Sequence, residues 1–118
     1  MNDFKNFKVY KDGQALVVLI FRLTRKFSKE FYYLSDQINR STLSIVLNIA
    51  EGSGKSSDKD FNRYVKNALG SATELSAAIE AVYNLDLVTS DELEKTELEI
   101  NSIIKQLGGF SKYLSRKH

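Results

Sequence analysis

The chain has no cysteine, no proline and no tryptophan, and its one histidine is the last residue, His118. The absence of cysteine excludes disulfides, a thiolate nucleophile and a thiolate-held metal, and it fits a reducing cytoplasm. The absence of an internal histidine removes the base of a serine–histidine triad. It also removes the Glu-x-x-His pairs that hold di-iron sites in helical bundles. No metal, no cofactor and no catalytic residue is therefore expected, and the protein reads as a non-enzyme. The lack of proline permits long uninterrupted helices, because proline deletes a backbone donor and clashes with the preceding turn. Long apolar runs are also missing. The longest, Ala15 to Phe21, falls far short of the roughly 20 residues that span a bilayer. Met1 to Lys5 has no signal-peptide pattern. Nor is there a strong charge of one sign: 17 basic and 15 acidic residues leave a net +2, with a pI of about 8.8.

What is present is helical periodicity. Apolar content is 42% and charged content 27% over 118 residues, which suits one globular domain over residues 1–118. Four segments carry the pattern. In the first, Val9, Leu16, Ile20, Leu23 and Phe27 recur at steps of three and four, with Gly13 in the remaining slot. The second, from about Phe31 to Gly52, places Leu34, Ile38, Ile45 and Ile49 on one face. The third keeps a heptad seam through Phe61, Val65, Ala68, Ala72, Leu75, Ile79 and Val82. The fourth repeats it through Leu93, Ile100, Ile103, Leu107, Phe110 and Leu114, with Thr96 filling one slot. Ser57 with Asp60, and Thr89 with Glu92, have capping-box spacing at two helix starts. Gly52-Ser53-Gly54 marks a helix end, where a left-handed residue is expected. Gly108-Gly109 marks a place where the fourth helix can bend. Short links between long helices predict an all-α, antiparallel up-down-up-down four-helix bundle.

The first two helices carry more apolar surface than one core-facing stripe requires. Leu16, Val17, Val18 and Phe21 on the first, with Leu43, Val46 and Leu47 on the second, predict an interface between subunits.

Two motifs invite a chemical reading. Gly52-Ser53-Gly54-Lys55-Ser56-Ser57 resembles the end of a phosphate-binding P-loop. Ile49, however, occupies the position of the required first glycine, and the preceding residues are helical rather than a strand. A helix stop followed by an N-cap accounts for the whole run. Glu92, Glu94, Glu97 and Glu99 fit a solvated helix start favoured by the helix dipole. Among polar residues placed for structure, Arg40 and Glu74 fall at similar heights on neighbouring helices and are expected to pair. Asn48, between Leu47 and Ile49, is expected to satisfy a local backbone group.

Antiparallel stacking turns a modest net charge into an axial asymmetry. One end gathers Lys5, Lys8, Lys11, Lys55, Lys59, Arg63, Lys112, Arg116 and Lys117. Five acids, Asp3, Asp12, Glu51, Asp58 and Asp60, oppose these nine cations and leave a surplus of four. Glu80, Asp86, Asp91, Glu92, Glu94 and Glu97 make the opposite end negative. A basic end is a phosphate-binding device, especially when several copies bring such ends together. Tyr10, Tyr64 and Tyr113 lie near enough to offer stacking surfaces.

Gln37-Ile38-Asn39-Arg40-Ser41, Ser44-Ile45, and Asn48-Ile49-Ala50-Glu51-Gly52-Ser53-Gly54-Lys55 together resemble the signature of the bacterial four helix bundle protein family. Members of that family include proteins encoded within intervening sequences of large-subunit ribosomal RNA genes. Asp60-Phe61, Ala68-Leu69-Gly70-Ser71 and Glu74-Leu75 resemble its second block. Val46 replaces a frequent proline, Lys55 a frequent arginine and Tyr10 a frequent tryptophan. The missing proline implies a straighter second helix. The resemblance implies an antiparallel four-helix bundle and a ring-shaped homopentamer. The chain is also similar to the accessory variability protein of diversity-generating retroelements, a basic pentamer that binds nucleic acid and the reverse transcriptase. The expected function is accordingly a homo-oligomeric RNA- or DNA-binding module, or alternatively a scaffold for a protein partner, with no membrane role.

Overall fold

The computed structural model describes residues 3–116, and its four long helices are α1 (Lys8–Thr24), α2 (Tyr32–Ser53), α3 (Asp58–Asn84) and α4 (Ser90–Arg116). Short 3-10 turns at Phe4–Asn6 and Lys29–Phe31 precede α1 and α2. Each helix packs on its sequence neighbours, and α4 closes the ring against α1. The all-α, up-down-up-down bundle expected from the spacing is the observed one.

The seams form the core. Leu16, Ile20, Ile38, Ile45, Ile49, Leu75, Ile79, Ile100, Ile103 and Leu107 are each at most 1% exposed. At one end Phe7, Phe61 and Phe110 meet edge to face and stacked, with ring centroids 5.1 to 6.5 Å apart. Phe27 stays buried but lies past the end of α1, in the link to α2.

Two glycines allow close approach. A Cβ on Gly13 would stand 2.7 Å from Val46 Cγ1, so the empty slot in the first seam is where α2 presses against α1. A Cβ on Gly52 would stand 2.7 Å from Tyr64 Cβ and 2.9 Å from Phe61 Cδ1. Gly52 is thus helical packing surface rather than a stop. The end of α2 falls at Gly54, whose φ of −87° is right-handed, contrary to the left-handed closure expected. The left-handed residue is Asp86 instead (φ 63°), just past α3. There Leu87 N–H donates to the Val82 carbonyl at 2.9 Å, closing the helix end. α4 runs through Gly108-Gly109 without interruption.

Both caps form. Ser57 Oγ accepts from Asp60 N–H at 3.1 Å. Thr89 and Glu92 exchange the two bonds of a capping box at 2.9 and 3.1 Å. Glu92 also takes the Lys26 ammonium, and this bond, with the Thr89 backbone donor, holds its carboxyl below the usual range. Asp12 is lowered likewise, first by Lys8 at 2.6 Å and then by Gln106 at 2.8 Å. Both carboxylates favour the folded state when ionised. Their contribution is complete above the unfolded carboxylate pKa of about 4 and is lost as pH falls through the depressed folded values. Urea midpoints measured from neutral to acidic pH should therefore fall less steeply for Glu92→Gln than for the native chain.

Candidate nucleic-acid interface

The bundle presents four side grooves, each with its own chemistry. The outward surfaces of α1 and α2 carry apolar side chains: Val18 and Phe21 on α1 and Leu43 and Leu47 on α2 are 46–56% exposed, and Val17 is half-buried. Leu16 and Val46, grouped with this surface from sequence, are corrected by the structure. At 1% and 2% exposure they belong to the bundle's own interior. They sit on the inward arc of their helices, and Val46 fills the space beside Gly13.

The α2–α3 groove is a polar seam. Glu74 accepts from Gln37 at 2.5 Å and from Ser41 at 3.1 Å, and Ser44 and Ser71 join at 2.8 Å. Asn48 donates to the Ser44 carbonyl at 2.8 Å, the local backbone bond expected of it. The expected Arg40–Glu74 pair does not form. Arg40 points outward and lies 3.6 Å from Asp36, one turn back on its own helix. Similar height is not enough when the two side chains leave their helices in different directions.

The α4–α1 groove carries the Lys26–Glu92 and Lys8–Asp12–Gln106 bonds already described. The α3–α4 groove is held by Asn62, which donates to Ser115 at 3.1 Å and accepts from Ser111 at 2.6 Å.

Antiparallel folding brings Lys5, Lys8, Lys11, Lys55, Lys59, Arg63, Lys112 and Arg116 to one end of the 47 Å long body. Lys117 lies outside the described residues. Within that end the cations are not equivalent. Lys8 is engaged by Asp12 at 2.6 Å. Arg63 is paired with Asp60 at 2.8 Å, which raises its pKa. Lys55 and Arg63 both lie over the Tyr64 ring, at 5.1 and 4.5 Å from its centroid. Tyr64 is therefore already covered by cations, and Tyr10 accepts from Gln14 at 2.8 Å. Tyr113 is 56% exposed.

Two further cations belong to this half of the bundle and are not evident from the order of the helix ends. Lys66, two turns into α3, and Lys105, late in α4, are both exposed. The signal that finds them is the side of the helix they share with Lys59 and Lys112.

Among the described residues no group of acidic and histidine side chains is arranged to hold a metal. No helix is long and apolar enough to cross a membrane.

Four antiparallel helices closed into a ring around an aliphatic core, with distinct chemistry on each side, define a four-helix-bundle protein. The chain belongs to the 23S rRNA-intervening sequence protein family, whose model matches residues 5–109. A solved protein of unknown function from the S23 ribosomal protein family of Bacteroides thetaiotaomicron has the same fold. Its TM-score is 0.79 at 26% identity, covering 88% of this chain and 98% of that one. No curated protein matches.

Proposed function

We propose that the protein is a non-enzymatic, cytoplasmic homo-oligomer, pentameric as the family resemblance implies, that binds RNA or DNA through its basic end. The observation carrying this reading is the gathering of eight described cations from three separate stretches of chain at one end of the bundle. The ribosomal RNA in the family's description favours RNA as the first ligand to try. The exposed Val18, Phe21, Leu43 and Leu47 on α1 and α2 support self-association, since exposed apolar side chains favour burial against a second surface.

Light scattering with and without a short structured RNA at low salt tests both halves. The expected result is an oligomer that gains mass with RNA and loses it at high salt. Val18→Asp with Leu47→Asp should yield monomers of unchanged helicity, read by circular dichroism and scattering together. The same exposed apolar side chains favour a second reading, a scaffold for a protein partner. That reading predicts an oligomer indifferent to RNA.

A further inference from the structure

We propose that the α3–α4 groove, rather than the bundle end as a whole, is the principal seat for a nucleic-acid sugar-phosphate backbone, bound without regard to base sequence. The proposal rests on the nucleic-acid reading above and moves its centre to one side groove, where Lys66 and Lys105 join Lys59, Arg63, Lys112 and Arg116 of the basic end.

The Asn62 bonds to Ser111 and Ser115 set the level of α3 against α4. At 100° and 1.5 Å per residue, Lys59 and Lys66 on α3 and Lys105 and Lys112 on α4 then border the same groove. Arg63 and Arg116 stand on its outer shoulders. All six are exposed. Lys59, Lys66, Lys105, Lys112 and Arg116 make no ion pair with another described residue. From Asn101 to Arg116, α4 has no acidic residue at all, and from Asp58 to Thr73, α3 has only Asp58 and Asp60. This half of the groove therefore carries six cations against two carboxylates, one of them held by Arg63.

The floor is open. Gly108 lies between the two rows of cations, and a Cβ built on it or on Gly70 meets nothing within 4 Å. At the start of α3 the surface sinks into a depression of about 530 Å³ lined by Lys59, Arg63 and Lys66, by Ser57 and the amides of Asn62 and Asn67, and by the Asp60 carboxylate that Arg63 holds. Two rows of unpaired cations flanking a shallow open trough suit an extended polyanion. Hydroxyls and amides near the floor add phosphate and sugar contacts. Contacts to phosphate and sugar position a strand without reading its bases, so binding along this trough is expected to show no sequence preference.

The test compares two double charge reversals of equal size in the full-length chain. One is Lys66→Glu with Lys105→Glu. The other, Arg25→Glu with Lys29→Glu, lies at the far end. Affinity for a short RNA hairpin and for an unpaired RNA strand is titrated against salt. The groove variant should lose most of its low-salt affinity for the hairpin, with the log–log salt slope smaller by about two. The far-end variant should keep both. Gly108→Gln should leave the unfolding midpoint unchanged or higher and still weaken binding several-fold, a combination that simple loss of structure does not produce. Equal losses in both charge variants, or undiminished binding by Gly108→Gln, would overturn the groove while leaving the basic-end reading standing. A native chain that binds neither RNA overturns both. Salt-dependent capture by anionic phosphatidylserine vesicles in place of RNA also overturns the proposal.

Discussion

Leu75→Ala is expected to lower the unfolding free energy by about 2–5 kcal/mol, the largest loss of any single change proposed for this protein. Leu75 is fully enclosed in the core, on the inward stripe of α3. Truncation removes three methyl or methylene-sized groups from contact and leaves a hole that four helices, held by caps and cross-bonds, cannot fully close. For a domain of this size the midpoint of thermal unfolding should fall by roughly 10 °C or more. Leu98→Ala supplies the comparison. Leu98 is 66% exposed on α4, and its truncation should change stability by less than about 0.5 kcal/mol. Urea titrations at one fixed protein concentration measure both, because self-association would make the midpoint depend on concentration. Equal effects at the two positions would refute the core described for α3.

The second large effect is expected at Gly52. Alanine normally improves a helix over glycine by about 1 kcal/mol, yet here its methyl would lie 2.7 Å from Tyr64 Cβ and 2.9 Å from the Phe61 ring. Tyr64 Cβ is tied to the α3 backbone and cannot swing aside. Either the end of α2 moves away from α3 or the phenylalanine cluster rearranges. Overpacking of this kind costs about 1–3 kcal/mol. Gly52→Ala should thus destabilise, whereas Gly70→Ala, with open space around it, should stabilise by about 1 kcal/mol. Opposite signs for one chemical change at two helical glycines isolate contact from propensity. A stabilising Gly52→Ala would mean that the two helices lie farther apart than described.

The seams of α3 and α4 were plain in the sequence because heptad spacing at residues such as Val65, Ala72 and Ile79 maps directly onto one helical face. The same pattern in α1 hid the reason for Gly13. A missing side chain reads as a gap in the stripe until Val46 is found filling it. Leu16 and Val46 were misassigned because continuous apolar runs such as Ala15 to Phe21 blur the boundary between inward and outward positions. Only the partner helix decides which residue is covered. The Arg40–Glu74 pairing failed for a related reason: sequence distance sets height along an axis but not direction around it. For the candidate site, the gathering of cations at one end was legible from antiparallel order alone. Lys66 and Lys105 lie inward of the basic end, so end-to-end charge does not reveal them; their significance lies in the side of the bundle they share with Lys59 and Lys112.

The polar seam between α2 and α3 has a consequence for how uniquely the bundle folds. A core made almost wholly of leucine, isoleucine, valine and alanine offers similar burial if one helix slides past another by a heptad, about 10 Å. Such a slide would carry Glu74 away from the Gln37 amide and Ser41 hydroxyl that now serve its carboxylate. It would also part Ser44 from Ser71. The misaligned pair would keep its greasy contacts but leave the buried Ser41 hydroxyl and the half-buried Ser44 and Ser71 without these partners, a penalty the aligned pair never meets. The exposed Glu74 would turn to water. The seam thus acts as a key cut into an otherwise smooth shaft, admitting one alignment of the two central helices and rejecting its near-copies.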